Sequence, residues 1–586
     1  MNFDRNTIIG FIVLAILFIG YFFYTTQEQA AYQLAKHKQD SIAALNQPKP
    51  DSAAIRVDSL AADSASAAAA AGGFAANAGG PEQVTVVEND LLKIGFTSKG
   101  GQPKWVELKG YQGPDSNAVR LASSNFDKLT YTIITAPNRT ADITAFNFSG
   151  GQVTPNADGS KTINYQLQSP GGQTVVHQYI IKPGQYMIDF NLQLAGVPQL
   201  LGGNTLNMTW QNQSIQLQKD LSYERTQSQV AYFADGDYDF SAVSGGGSEN
   251  FTDPIGWIGI KQQFFNTTLI AKNNFTSGTI NWESPEIGNV VTRATANLKM
   301  ELPAAANAAI PMSIYYGPTD YKILKQYGND MEDMVNLGSG IFAFVKYINR
   351  WIIMPVFDFF AKFTSNYGIV ILLLTLFIRL IISPLTYTSY LSGAKMKALR
   401  PEIDKLKAKH GTDQQAISME QMKLFREAGV NPLGGCIPAL LQIPIFFALY
   451  SFFNANVALR GEPFLWAEDL SQYDSILQLP FTIPLYGDHV SLFTITATLT
   501  SLLISVYSMS MTPDQGNPVL KYMPYIFPVF LLFIFNSQPS ALTWYYTVSN
   551  IITLALQFVI QNYIIDHDKI LAKIEDNRKK PKSKSK

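Results

Sequence analysis

The chain has 586 residues, 44 Lys and Arg against 45 Asp and Glu, and a 47% hydrophobic content that is clustered rather than spread. Its single cysteine, Cys436, excludes an internal disulfide framework and any cysteine-based metal site. Five histidines at no ligand spacing and the absence of a GxxxxGK[ST] loop leave neither a metal-ligand pattern nor a nucleotide-hydrolysing motif.

Residues 7–24 (TIIGFIVLAILFIGYFFY) are the first run long enough to cross a bilayer, and an aromatic cluster suited to the interface closes it. Only Arg5 stands before it as a basic residue and no small-residue cleavage site follows, so residues 1–24 are expected to be a retained anchor. Residues 25–80 are polar and then, from 47, rich in Ala, Ser, Gly and Pro. Such a composition buries no core and predicts a flexible tether.

From residue 81 to about 335 short β-rich runs are separated by Gly, Asn, Asp and Pro. Runs 179–182 and 186–194 flank Pro183-Gly184 and predict a hairpin; runs 257–260 and 262–269 follow each other as successive strands. With few helical periods over more than two hundred residues, a large β-sandwich is expected. His177 is its only histidine, which leaves no pair for acid–base work, and Glu107 and Glu283 read as solvated carboxylates.

Residues 336–365 mix aromatics with Lys346, Arg350, Asp358 and Lys362, too charged to cross but suited to lying along a membrane. Residues 366–390 then form a spanning helix with Arg379 near its middle. A charge there costs about 2.5–3.5 kcal/mol on insertion scales and should face a polar cavity or a partner. Thr375 and Ser383, four residues to either side, share its face, while Pro384 withholds an amide from the Leu380 carbonyl, which then needs water or a neighbouring helix. Two readings stand. The helix borders something wet, or Arg379 snorkels toward the end at Tyr387.

Residues 391–432 predict a helical hairpin, with apolar Met396, Leu399, Ile403 and Leu406 before a break at His410-Gly411, then Met422 and Phe425 before Gly429 and Pro432. Within 433–565 apolar runs 433–453, 490–511, 519–535 and 541–565 complete six crossings, and residues 566–586 end in NRKKPKSKSK. The hairpin and tail are basic, whereas loop 457–489 has Arg460 alone against five acids. Both termini are therefore expected in the cytoplasm and the β domain across the membrane.

Two further polar faces lie inside the apolar runs: Thr494, Thr498, Ser501, Ser505 and Ser508 in the fourth, and Thr543, Tyr546, Asn550, Thr553, Gln557 and Gln561 in the sixth. Gln442 sits in the third between Pro438 and Pro444. These groups either serve helix packing or, with Arg379, line a shared hydrophilic groove. A transporter or channel path with a ligand-binding β domain outside is the alternative; no internal repeat, intramembrane acid or filter motif favours it.

The runs NPLGGCIPALLQIPIFFALY from Asn431, TLFIRLIISPLT from Thr375 and FNSQPSALTWYYTVSN from Phe535, with the cytoplasmic hairpin between, resemble the YidC/Oxa1/Alb3 family of membrane protein insertases. The anchor and large β domain, with VENDLLKIGFTSKGG and WVELKGY near its start, are similar to the Gram-negative form. The resemblance implies six spanning helices, five of them a conserved bundle, and a periplasmic β-super-sandwich in the inner membrane's outer compartment. It implies insertion and folding of new membrane proteins, alone or with the Sec translocon, with no catalytic residue, metal or cofactor. By the resemblance Arg379, Thr375 and Tyr546 would line the substrate groove, to which the polar faces add Ser383, Asn550, Gln442, Thr498 and Ser501. The third and fifth crossings would form a greasy slide into lipid, and the hairpin and basic tail would meet the ribosome.

Overall fold

The computed structural model describes residues 72–411, 413–430, 437–483, 486–509, 518–566 and 569–572. The expected anchor, most of the tether, Cys436 and the basic tail from residue 573 lie outside the described residues. The described chain falls into two compact units, divided between residues 335 and 336.

The first unit is built from antiparallel sheets. Strands β1 (Thr174–Ile181), β2 (Met187–Ala195), β3 (Thr205–Ile215), β4 (Ile255–Lys261), β5 (Phe265–Phe275), β6 (Val290–Glu301) and β7 (Asn307–Pro318) form its centre. In a nine-stranded sheet the order runs β4, β5, β7, β2, β1, and in a six-stranded sheet β6 pairs with β3. The expected hairpin is β1–β2, with Ile181 opposite Ile188 and Gly184 at φ +64 in the turn. The second pair is β4–β5, Lys261 opposite Asn266. Every second residue of β1 is buried, as a strand with one face on a core requires. The two sheets face each other across Leu129 and Trp210 on one side and Ile314 and Tyr316 on the other, leaving a void of about 20 Å³, the size of one water.

His177 of β1 is buried in this core. Its Nδ1 lies 2.9 Å from the Gly101 carbonyl, which only accepts, so Nδ1 carries the proton and Nε2 accepts from the Tyr131 hydroxyl at 2.7 Å. Tyr179 donates to the same carbonyl at 3.0 Å. Gly101 has φ +58, and a Cβ there would lie 2.9 Å from Tyr165; the GG of the TSKGG motif lets the backbone approach the ring cluster.

Lys261 of β4 is also buried, its Nζ donating to the Gln227 carbonyl at 2.8 Å. Burial pulls its pKa down from 10.5 to about 8. At pH 7 the amine is charged in both folded and unfolded chains, and the native state bears the whole desolvation cost, relieved only as pH rises through 8 toward 10.5. Lys261→Met is expected to stabilise this unit at pH 7 by about 2 kcal/mol after allowing for the orphaned carbonyl. Hydrogen exchange of the β4 amides in the full chain measures it; slower exchange is expected, and faster exchange would show that the bond to Gln227 outweighs the charge.

The second unit is helical. Its surface segment is not one helix: residues Val345–Ile348 pass through a π turn, Asn349–Ile353, into α1 (Met354–Ala361). Pro355 has no amide for an ordinary fourth-residue bond, and the wider turn absorbs the gap. Helix α2 (Tyr367–Ala398), capped by the Asn366 side chain on the Ile369 amide, runs eight residues past the expected crossing and takes in the start of the expected hairpin. Pro401 then ends the rod, and α3 (Arg400–His410) and α4 (Gln414–Glu427) form the two arms. Their core holds Met396, Leu399, Ile403, Leu424 and Phe425 against Ile560 and Ile565. Met422, expected on that face, is exposed instead, because the buried face of α4 passes through Leu424.

Helices α5 (Ile437–Ala455), α6 (Leu492–Met509), α7 (Pro518–Phe535) and α8 (Ser540–Val559) complete the unit. Its core joins α2, α5 and α8 through Leu374, Ile378, Leu449, Phe453, Leu542 and Tyr545. Among the described helices α2 and α6 are long and apolar enough to cross a membrane, and shorter apolar helices cover Gln442–Ala455 and Pro524–Phe535. Between α5 and α6 lie β8 (Leu477–Ile483) and β9 (Gly487–Val490), paired antiparallel. The buried Asp474 carboxylate accepts from the Leu492 amide at 2.8 Å, the Phe493 amide at 3.1 Å and the Ser491 hydroxyl. It thereby caps the start of α6, where free amides favour a negative charge.

Candidate functional site

Arg379 faces α8. Its Nε donates to the Ser549 hydroxyl oxygen at 2.8 Å, and Nη2 donates to the same atom. Among the described residues no carboxylate lies within ion-pair distance of it, so a half-buried positive charge is held by one neutral hydroxyl. That is a weak counterpart for a charge in an apolar bundle.

Thr375 is fully buried and donates to the Ile371 carbonyl at 2.6 Å within its own helix. Ser383 donates to the Leu380 carbonyl at 2.8 Å. This corrects the expectation that Pro384 leaves that carbonyl to water or a neighbour: the preceding serine of the same helix replaces the missing amide.

Beside Arg379, Gln442 of α5 faces both Tyr545 and Tyr546 of α8. Gln442 Nε2 and the two tyrosine hydroxyls are buried within reach of one another, and Tyr545 also approaches Ser549, but none of the three makes a hydrogen bond of good geometry among the described residues. Tyr546 is held by rings, its centroid 5.8 Å from Phe446 and 5.1 Å from Phe535. Three buried polar atoms so loosely paired beside a cation make a place that water or a polar guest can complete.

Asn550 and Ser501 sit elsewhere. The Asn550 amide donates to Ser501 Oγ at 2.8 Å and to the Ala497 carbonyl at 3.2 Å, with Thr496 and Thr547 in contact at 2.9 Å one turn away. The polar faces of α6 and α8 thus largely bond each other, as packing seams do. Thr498 Oγ1 is buried and has no partner among the described residues. Asn550→Leu is expected to weaken the seam by about 0.6–1.7 kcal/mol. Thermal unfolding of the full chain measures it; a loss well above this range would mean that Asn550 does more than bond α6.

Ser549 and Tyr545 were not legible in advance. Tyr545 and Ser549 are four residues apart and share a face, but Tyr546 and Asn550, one position on, carry the larger polar groups and drew the stripe. Among the described residues no cluster of His, Cys, Asp and Glu could hold a metal ion.

The family described as YidC periplasmic domain matches residues 84–354, and that described as 60Kd inner membrane protein matches residues 359–567. A membrane protein insertase YidC from Parabacteroides distasonis is 32% identical over 99% of this chain and 96% of its own length. Another from Cytophaga hutchinsonii is 33% identical over 98% and 93%. Among solved structures, a galactose mutarotase-like protein from Lactobacillus casei covers 40% of this chain and all of its own at 11% identity and TM-score 0.26, a likeness that carries no functional weight. Two adjoining domain matches in family order, and relatives at this identity end to end, give one reading: the chain belongs to the YidC family of membrane protein insertases.

Proposed function

We propose that this chain inserts membrane proteins into the inner membrane through the site around Arg379, with its β domain in the periplasm. The observation that carries the site is an arginine in an apolar helix bonded to one hydroxyl, beside three buried polar atoms that make no hydrogen bond of good geometry. A wet recess part-way into the bilayer shortens the distance over which a substrate's polar flank is dehydrated, and Arg379 offsets part of the remaining cost for an acidic flank. Burial of about twenty apolar substrate residues in lipid drives the step.

Family membership and basic cytoplasmic segments support six crossings with both termini inside, the exposed faces of α5 and α7 as the slide into lipid, and nascent membrane proteins as substrates. Docking to the ribosome through the α3–α4 hairpin and tail, and cooperation with the Sec translocon, belong to the same proposal. The transporter reading is not favoured, since the relatives carry insertase names along the whole chain.

Photocrosslinkers at Gln442 and Tyr546 are expected to capture a stalled nascent membrane protein in native membranes, and one at the exposed Leu380 is not. Equal capture at all three would remove the groove from the mechanism.

A further inference from the structure

Strands β8 and β9 carry an apolar surface that the insertion site does not use. From Ser475 to Gly487 the sequence has no charged residue, whereas the stretch before it holds Arg460, Glu462, Glu468, Asp469 and Asp474, and Asp488 follows at once. Within that uncharged run Ile476, Leu477 and Phe481 are 52, 57 and 62% exposed. Scattered apolar residues on a surface are ordinary; three within six positions, with every charge withdrawn to the base, are not.

The base is rigid. His489 is buried, stacks on Tyr473 with centroids 3.7 Å apart, and bonds the Asn536 carbonyl at 2.8 Å. The Asn536 amide donates to the Tyr486 and His489 carbonyls at 2.8 Å, and its oxygen accepts from the Ser491 amide at 3.1 Å. One residue, Ser491, separates β9 from the start of α6, and Asn536 directly follows α7. The strands are thus fixed at the level where two apolar helices end. Tyr486 also meets Phe533 of α7 edge-on at 5.8 Å, which joins this surface to the exposed Phe530 and Ile534 of that helix.

We propose that β8 lies in the outer membrane–water interface with Leu477 and Phe481 in the acyl region, an anchor for the α6 and α7 ends. The occupant is lipid, because the apolar surface continues that of α7 without a charged boundary, and the charges stand only where the strands leave it. A strand of seven residues spans about 23 Å, enough to lie along the interface rather than touch it at a point. This inference rests on the membrane reading above.

The test uses the full chain with Cys436→Ser, spin-labelled singly at Leu477, Phe481, Leu503 or Glu468 and reconstituted in phosphatidylcholine vesicles. Collisions with oxygen and with a water-soluble nickel chelate report depth. Labels at Leu477 and Phe481 are expected to favour oxygen at least threefold over the Glu468 label, as the one at Leu503 on α6 does. Chelate access at Leu477 and Phe481 equal to that at Glu468, with Leu503 in lipid, would overturn the proposal; water access at Leu503 as well would overturn the membrane reading itself. A photocrosslinker at Phe481 is expected to capture lipid, and capture of a stalled nascent chain in its place would reassign the surface to substrate.

Discussion

Arg379→Ala is expected to lower insertion of substrates with an acidic translocated segment by about 10- to 100-fold, the worth of a hydrogen bond or charge contact to an ionised group. Substrates with neutral segments should lose much less, because burial of their apolar helix drives the step whether or not the charge is present. Both guanidinium donors in use go to a single atom, Ser549 Oγ, so the side chain is positioned as a charge and not as a fork around a planar acceptor. Arg379→Lys should therefore retain most of the activity. Paired insertion assays on substrates differing only in acidic residues decide this. Equal loss in both variants would mean that fork geometry matters, and equal loss for both substrates would mean that Arg379 only holds α2 to α8.

The second large effect concerns acid. Burial lowers the His177 pKa from 6.5 to about 4, and its Nε2 is committed to accepting from Tyr131. Above pH 6.5 the imidazole is neutral in both states and the β unit keeps its full stability. Below it the unfolded chain takes up a proton that the native state refuses until about pH 4, so stability falls across that window by roughly 3 kcal/mol. Denaturant midpoints of the full chain's β unit at pH 7.5 and pH 4.5 measure the loss. His177→Phe, less stable at neutral pH because it orphans the Tyr131 hydroxyl and leaves the Gly101 carbonyl with Tyr179 alone, should flatten this part of the profile; an unchanged slope would place the acid sensitivity in other groups.

Much of this was legible from local chemistry. Pro183-Gly184 marked the β1–β2 hairpin because a turn needs only its own residues, and Arg379 stood out because one charge in an apolar run is conspicuous. Sheet order was not legible: β7 lies between β2 and β5 through contacts more than forty residues apart in sequence, which no local pattern carries. The site was half legible for the same reason. A helical stripe shows that Asn550 is polar and in line with Tyr546, but only the position of α6 shows that its amide is consumed by Ser501. Ser549 carried no signal of its own, since a serine in an apolar helix reads as packing until its neighbour is known. Ser383 gave no sign of its bond to Leu380, because a hydroxyl beside a proline can bond either its own helix or a neighbouring one.

That bond has a mechanical consequence. At 1.5 Å per residue the 32 residues of α2 measure about 48 Å, and roughly 28 Å of that separates Arg379 from the end where the hairpin arms begin. Ser383 satisfies the Leu380 carbonyl but does not restore the amide that Pro384 lacks, and a helix bends where a proline and a back-bonded serine meet. A load on the arms would therefore flex α2 at Pro384, one turn beyond the guanidinium, before it pulled on the bond to Ser549.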